Sequence, residues 1–167
     1  MDRSYTYKII GCIYEVYNEL GPGLLESIYE SAMIYELREQ GFEVNNQVAV
    51  PVYYKGTLLC PNLRLDLIID HRVILELKSV TEYRNLFEKQ LYTYLRLMNC
   101  ELGYVVNFNT TNIKNDIHTV YNGSADLVGW YVRQIKNKVV PLLHGFNKAF
   151  TCHPSRCAYR QLRGCEF

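Results

Sequence analysis

The feature that most constrains the fold is a pair of short, strongly apolar runs in the middle of the chain. The runs Leu63–Ile69 and Val73–Val80 consist mainly of Leu, Ile and Val, and only Asp70-His71-Arg72 separates them. Such runs are typical of central strands, which are buried on both faces of a sheet. The spacing predicts two neighbouring strands joined by a tight turn.

Three further segments predict helices. Apolar residues recur at helical spacing over residues 5–20, and Gly21-Pro22-Gly23 ends that helix. A second helix is predicted over residues 24–40, with Gly41 just past its end. A third is predicted over residues 84–99, which carry an apolar stripe.

Several short segments predict the remaining strands. Period-two alternation over residues 44–54 predicts a half-buried strand, and the proline inside it indicates the edge of a sheet. Lys55-Gly56 is a plausible hairpin turn into Thr57–Leu59. Another strand begins at Gly103, and residues 113–121 are a candidate for one more. The order α-α-β-β-β-α-β predicts an α/β domain with a mixed central sheet flanked by helices, since a strand, a helix and a strand in succession imply a right-handed crossover.

Length and composition indicate one globular domain. The chain has 167 residues, of which 49% are hydrophobic and 21% charged, enough for a single core. No apolar run reaches the roughly 20 residues that cross a bilayer, and the start MDRSYTYKII lacks the features of a secretory signal. We therefore expect a cytoplasmic protein without membrane partners, whose six cysteines are reduced.

We predict that this domain ends near residue 123 and that a basic extension follows. Residues 1–123 carry 11 Lys and Arg against 15 Asp and Glu, whereas residues 124–167 carry 7 against 2. The extension is either a phosphate-binding arm or an ordinary solvated terminus, and the two interpretations are equally weighted. Residues 127–135 are a candidate helix. The Cys and His spacing beyond them disfavours a zinc site (Cys152, His153, Cys157 and Cys165).

One charged pair interrupts the second apolar run. In Leu75-Glu76-Leu77-Lys78, successive side chains alternate between faces, so Glu76 and Lys78 project together. Charged groups in the middle of a central strand must be paired or bind an ion. Taken alone, such a pair is more often a salt bridge on a solvated sheet face.

Asp66 interrupts the first apolar run in the same way. If Asp70-His71-Arg72 forms the connection, Asp66 lies opposite Glu76 on one face, with Cβ atoms about 5 Å apart. Two carboxylates this close repel each other unless a cation lies between them. A two-residue loop would place Asp66 on the other face, so the prediction requires a three-residue or bulged turn.

These residues suit a hard cation. Two carboxylates and a backbone carbonyl favour Mg²⁺ or Mn²⁺ over zinc, so we predict a metal site formed by Asp66, Glu76 and the carbonyl of Leu77. Lys78 would add a positive charge beside the metal. This combination suits hydrolysis of a phosphodiester, because the metal activates water and the ammonium stabilises charge on the phosphoryl oxygens.

Two helices carry further candidates. Glu26 and Glu30 lie one turn apart, where one of them could reach the metal or its water, and Glu30 and Tyr29 are candidates for contacting substrate. Gln90 and Tyr94 lie within the apolar stripe of the third helix, facing the carboxylates, and a buried Gln amide needs hydrogen-bond partners. The plainer alternatives are a solvated helix flank and a core Gln bonded to backbone.

Four motifs in this order resemble one known superfamily. Asp66 followed by Glu76-Leu77-Lys78 resembles the PD-(D/E)XK nuclease signature, and residues 90–94 (QLYTY) resemble the QxxxY motif of its RecB-like branch. Residues 23–29 (GLLESIY) and 51–56 (PVYYKG) resemble the GxxExxY proteins, a bacterial group assigned to this superfamily.

The resemblance covers about residues 5–123. It implies a restriction-endonuclease-like core and Mg²⁺-dependent cleavage of nucleic acid, with DNA favoured as the substrate and a homodimer as one possible assembly. Leu65 stands where the superfamily name has proline, a position that does not bear on metal binding. The resemblance further implies that the two strand carboxylates bind the metal, that the lysine is catalytic, and that the helix residues complete the site (Asp66, Glu76, Lys78, Glu26, Gln90 and Tyr94).

Two other interpretations stay open at this point. In the first, the chain has kept the fold but lost turnover, and acts as a module that binds nucleic acid or a partner protein. In the second, the charges are structural, and Lys78 merely bridges Glu76 or Asp66.

Overall fold

The computed structural model describes residues 3–59 and 63–123. In these residues the chain forms three α-helices, a short 3₁₀ turn, a five-stranded sheet and a separate two-stranded hairpin. No helix in this part of the chain is long and apolar enough to cross a bilayer. The candidate helix over 127–135 and the Cys and His pattern of the extension lie outside the described residues.

The three helices lie where the apolar spacing predicted them. They are α1 (Arg3–Leu20), α2 (Glu26–Glu39) and α3 (Leu86–Met98). Helix α1 buries one stripe at helical spacing, formed by Ile9, Cys12, Ile13 and Val16.

The apolar spacing predicts that Leu25, Ile28, Tyr29, Ala32 and Met33 share the buried face of the second helix, but helix α2 buries a narrower face. Tyr29, Met33 and Leu37 lie four residues apart and are fully buried, whereas Leu25 and Ile28 are 74% and 46% exposed. Leu25 has an extended backbone and precedes the helix, and Ile28 lies beside the buried row. The inner face of α2 is therefore a single row of side chains.

Seven strands lie in the described residues: β1 (Val44–Ala49), β2 (Val52–Tyr54), β3 (Thr57–Leu59), β4 (Arg64–Ile69), β5 (Val73–Lys78), β6 (Leu102–Asn107) and β7 (Ile117–Tyr121). Five of them form a mixed sheet of order β1-β4-β5-β6-β7, in which β5 and β6 are parallel and the other neighbours are antiparallel. Helix α3 connects β5 to β6, and β4 and β5 occupy interior positions, as predicted.

The prediction of one continuous strand over residues 44–54 was wrong. Strand β1 ends at Ala49 at the edge of the main sheet, and β2 pairs with β3 in a separate hairpin. Pro51 lies between them and cannot donate to a ladder. The predicted hairpin turn is confirmed, because Lys55 and Gly56 have φ angles of 50° and 81°, the left-handed pair that a two-residue hairpin turn requires.

The sheet separates two apolar layers. Helices α1 and α2 cover the face that carries Leu67, Leu75 and Leu77, and α3 covers the face that carries Ile68 and Ile74. Gly103 on β6 allows α3 to approach closely, because a Cβ atom there would lie only 2.8 Å from Leu91 Cδ1. The buried Cys12 and Cys100 belong to these layers and form no disulfide.

Candidate active site

Strands β4 and β5 have the register that the site prediction requires. They pair antiparallel up to Leu67 opposite Leu75, and the connection is the three-residue segment 70–72. The same register aligns Asp66 with Glu76 one residue further along. The requirement for a three-residue turn is confirmed.

The pairing of strands β4 and β5 is interrupted at Asp66. The β4–β5 ladder stops before this residue, and Asp66 Oδ2 accepts a hydrogen bond of 2.8 Å from the backbone N–H of Leu77. On the other side of β4, Gln47 aligns with Asp66 and has a left-handed backbone, with φ 50°. Leu65 and Leu67, two residues apart, point into different apolar layers. Strand β4 therefore bends at Asp66. The Asp66 carboxylate lies in the gap that this leaves between β4 and β5, which we call the opening.

Three charged side chains meet in this opening. Lys78 Nζ lies 2.9 Å from Glu76 Oε1 and 3.7 Å from Asp66 Oδ2. The same ammonium donates a 3.0 Å hydrogen bond to the carbonyl oxygen of Leu77. Glu76 and Lys78 share a face of β5, as strand alternation predicted, while Leu77 points into the opposite apolar layer.

Burial and mutual charge interactions shift the pKa values of all three charged groups in this cluster. Desolvation, followed by repulsion from Asp66, raises the pKa of Glu76 to about 7, although Lys78 acts in the opposite direction. Desolvation also raises the pKa of Asp66, against the effects of the Leu77 N–H and Lys78. Burial alone would lower the pKa of Lys78, but the attraction of Glu76 and Asp66 outweighs it and raises that pKa. The lysine therefore keeps its proton.

Glu26 approaches the cluster from the first turn of α2. Its Oε1 accepts a 3.1 Å hydrogen bond from the backbone N–H of Ser79, just beyond β5. Its negative charge contributes to the raised pKa values of Asp66, Glu76 and Lys78. Glu26 is thus a third carboxylate near Asp66 and Glu76.

Tyr29 has a structural position, which corrects the expectation that it contacts substrate. Its side chain is fully buried and stacks on Phe108 with ring centroids 4.3 Å apart. Its hydroxyl donates to the carbonyl of Gly21 at 2.7 Å and accepts from the N–H of Leu24 at 3.1 Å. No part of the ring is accessible, and Tyr29 instead fixes the segment that leads into Glu26.

Glu30 is held by the edge strand. Its two carboxylate oxygens accept hydrogen bonds from Asn46 Nδ2 and Gln47 Nε2, both at 2.8 Å. Its charge also contributes to the raised pKa of Asp66. Glu30 therefore lies near the opening, but both of its oxygens already have donors.

Gln90 and Tyr94 face the cluster from α3. Gln90 Nε2 donates to the Tyr94 hydroxyl at 2.6 Å, and Tyr94 is 2% exposed. Burial raises the pKa of Tyr94, and the charges of Glu76 and Asp66 raise it further. The alternative of a core Gln bonded to backbone does not hold in the described residues, because the amide bonds the tyrosine.

Comparison with known families agrees with this geometry. Residues 3–120 match a family described as PD-(D/E)XK nuclease superfamily. The chain belongs to the PD-(D/E)XK nuclease superfamily. Its mixed five-stranded sheet flanked by helices is consistent with the restriction-endonuclease-like core of that superfamily, whose members are usually metal-dependent nucleases. No curated protein and no solved structure matches the chain.

Two neighbours of this PD-(D/E)XK cluster were missed by the sequence predictions. Asn107 is 3% exposed, and its amide pairs with both backbone groups of Val80 at 3.0 Å. The ring centre of Phe87 lies 5.7 Å from Lys78 Nζ. Asn107 could have been found, because it interrupts an apolar strand just as Asp66 does. Phe87 had no distinguishing signal within an apolar stripe.

The residues of the PD-(D/E)XK cluster have donors that fit a divalent cation. No group of three His, Cys, Asp or Glu side chains in the described residues surrounds a metal position. The Lys78 ammonium contacts both strand carboxylates instead. However, Glu76 Oε2 is buried and has no hydrogen-bond partner within this part of the chain. A buried carboxylate oxygen without a donor is costly, and a hard cation would satisfy it.

Proposed function

We propose that this protein is a nuclease that hydrolyses phosphodiester bonds of nucleic acid, DNA in the first place, with Mg²⁺ or Mn²⁺ as cofactor. One observation carries the proposal. All three predicted ligand atoms, Asp66 Oδ2, Glu76 Oε1 and the Leu77 carbonyl oxygen, lie within 3.7 Å of the same ammonium nitrogen of Lys78. The fold thus places three oxygen atoms of the type that binds Mg²⁺ around one cationic group. We include a cytoplasmic location and a homodimer in the proposal.

The residues of the chain would divide the work as follows. Asp66, Glu76 and the Leu77 carbonyl would hold the metal, with Glu26 as a further ligand, and the metal would supply Lewis acidity at the phosphate. The Leu77 N–H orients the Asp66 carboxylate. Lys78, whose pKa is raised, would stay charged and stabilise negative charge on the phosphoryl oxygens.

We also infer that the chain belongs to the GxxExxY group of the RecB-like branch. Each position named by the motif has a distinct role here: Gly23 has a left-handed backbone with φ 95°, Glu26 lies beside the cluster, and Tyr29 fixes the segment between them. The hydrogen bond between Gln90 and Tyr94 supports the RecB-like QxxxY motif in the same way.

A module that binds without turnover is the second candidate. Lys78 pairs with both carboxylates in the described structure, and such a closed ion-pair cluster could be stable without metal. The two candidates differ in what happens when a divalent cation is added.

Titration calorimetry with Mn²⁺ tests the proposal. We expect the wild-type protein to bind Mn²⁺, and Asp66→Asn to bind at least about tenfold more weakly because a ligand charge is lost. Lys78→Met should retain Mn²⁺ binding but lose cleavage of DNA in Mg²⁺ by about 100-fold or more. Lys55→Met, on the exposed hairpin turn, is the matched lysine control and should cleave normally.

Two results would contradict the proposal. The absence of any Mn²⁺ heat would make the cluster a structural salt bridge. Mn²⁺ binding without cleavage of single-stranded, duplex or branched DNA or of RNA would identify a binding module.

A further inference from the structure

A cavity opens beside Lys78, in the segment that joins β5 to α3. Its volume is about 380 Å³, and it is lined by Val80, Thr81, Glu82, Arg84, Leu86 and Phe87. This volume lies within the range of small-molecule sites, ~300–1,000 Å³. Phe87 joins the cavity to the charged cluster, because Lys78 Nζ lies 5.7 Å from its ring centre.

Two residues of the cavity lining, Val80 and Phe87, are held in place by neighbouring side chains. Both backbone groups of Val80 are hydrogen-bonded to the buried amide of Asn107 at 3.0 Å. The Phe87 ring packs edge-on against Tyr83, with centroids 5.6 Å apart, and the Tyr83 hydroxyl donates to Glu88 at 3.1 Å. This part of the lining would therefore lose little conformational entropy when a ligand enters.

Among the residues that the structure describes, the lining combines apolar surface with the cationic side chain of Arg84. Leu86 is 63% exposed although it is large and apolar, and it stands next to the half-buried Phe87. Arg84 is exposed and makes no ion pair with any of the described residues. Glu82, also exposed, disfavours a phosphate on its own side of the cavity. Such a lining fits a flat apolar ring with a phosphate attached on the Arg84 side.

A paired base could not use this surface. In a duplex each base is stacked on both faces and hydrogen-bonded along its edge, so its ring is not available to a protein wall until it is unpaired. Proteins that bind unpaired strands place apolar or aromatic side chains against bases and cations against phosphates. The distance from Lys78 to Phe87 is short enough for the nucleotide whose phosphate lies at Lys78.

We propose that this cavity binds the base next to the scissile phosphate, so that the substrate is a nucleic acid strand with unpaired bases. The inference rests on the proposed nuclease function for the position of the phosphate. It adds the substrate class, and it assigns Leu86 and Phe87 to the base and Arg84 to the flanking phosphate.

The test is a binding measurement that does not require cleavage. Fluorescence anisotropy would compare a labelled single-stranded DNA, a single-stranded RNA of the same sequence and the blunt DNA duplex, in EDTA and again in Ca²⁺. We expect at least one of the single strands to bind about tenfold more tightly than the duplex. The DNA and RNA arms show which sugar the site accepts.

Two substitutions and their controls locate the binding. Leu86→Ala and Arg84→Ala should each weaken binding of the preferred single strand about fivefold or more and leave duplex binding nearly unchanged. Both side chains are exposed, so thermal melting should show an intact fold. Tyr121→Ala and Arg72→Ala remove an exposed apolar side chain and an exposed arginine at the opposite end of the sheet, and should have no effect.

The outcomes separate this inference from the proposed function. Equal affinity for single strands and duplex, no binding to any of them, or wild-type behaviour of Leu86→Ala and Arg84→Ala would overturn the inference. If Leu86→Ala and Arg84→Ala cleave in Mg²⁺ as well as the wild-type protein does, the proposed nuclease function stands and the proposed base site is wrong. If the protein binds single strands selectively but cleaves none of them, the proposed base site stands and the proposed nuclease function is wrong.

Discussion

At Glu76, burial and charge work against each other. The residue is 2% exposed, and only one of its two carboxylate oxygens has a donor, the Lys78 ammonium, in the described structure. Ionising such a group is costly unless its partners compensate fully. The site is therefore less stable in its charged, metal-free form than a solvated ion pair would be.

This conflict predicts a pH-dependent stability. The pKa of Glu76 rises from 4.5 to about 7 on folding, so the folded protein holds the proton between these values and loses that stabilisation as the pH rises through 7. Between pH 6 and pH 8 the free energy of unfolding of the metal-free protein should fall by about 1.4 kcal/mol from this group. Urea unfolding in EDTA at the two pH values measures it.

Glu76→Gln is the control for this prediction. The amide cannot ionise, so its free energy of unfolding should change little between pH 6 and pH 8. An equal fall in both proteins would assign the effect to another group.

At this scale the sequence was most informative about β4 and β5, and helical spacing added Glu26, Gln90 and Tyr94. Strand alternation placed Glu76 and Lys78 on one face, and the turn length aligned Asp66 with them. Tyr29 and Glu30 were beyond such reasoning, because their environment is set by residues from distant elements, Phe108 for the ring and Asn46 with Gln47 for the carboxylate.

At the scale of elements, the start of α2 determines where Glu26 points. The residue before the helix, Leu25, offers no side-chain cap. The preceding segment is fixed instead by the buried Tyr29 hydroxyl, which bonds Gly21 and Leu24, and by Ser79 Oγ, which donates to the Leu24 carbonyl at 2.6 Å. Side-chain hydrogen bonds therefore connect the start of α2 to the end of β5.

Tyr29→Phe should loosen this connection. It removes two hydrogen bonds of a buried hydroxyl and leaves their partners to find water, so we expect a loss of about 1–3 kcal/mol in the free energy of unfolding. Cleavage should fall as well, because Glu26 is less well placed. Tyr35→Phe, on the exposed side of the same helix, should change stability by less than about 0.5 kcal/mol. Equal losses in the two variants would show that the hydroxyl of Tyr29 has no special role.

The elements themselves were largely predictable, with one exception. Helices and central strands follow from long apolar periods, which is why their ends agree closely. The division of residues 44–54 did not follow, because period two continues through Pro51, and the left-handed backbone of Gln47 has no sequence signature.

At the scale of the whole molecule, charge is unevenly distributed. Residues 1–123, which include the carboxylate cluster, have a net charge of −4, whereas residues 124–167 have +5. A nucleic acid approaching the carboxylates meets an excess of negative charge on the domain, so the basic extension is the main source of electrostatic attraction in the sequence.

Removing the extension should therefore weaken binding and its salt dependence. For a chain that ends at Gly123, we expect cooperative unfolding, since the buried residues of both apolar layers in the described part of the chain lie between Ile9 and Val120. If all seven Lys and Arg of the extension contact a single strand, the slope of log K against log salt would become shallower by up to about 5. Anisotropy titrations at several salt concentrations measure it. A variant of the 167-residue chain with these residues changed to Gln is the control, and an unaltered slope in both proteins would make the extension an ordinary solvated segment.

The hydrogen bond from the Leu77 N–H to Asp66 determines which residue should be replaced to make an inactive form of the protein. Because Asp66 caps an amide that no neighbouring strand reaches, replacing it with an apolar residue would disturb the framework together with the chemistry, and a dead variant would be hard to interpret. Lys78 also bonds the main chain, but its acceptor is the Leu77 carbonyl oxygen, which the proposed metal would contact in its place. A catalytically silent protein for trapping an uncut substrate is best obtained at the lysine.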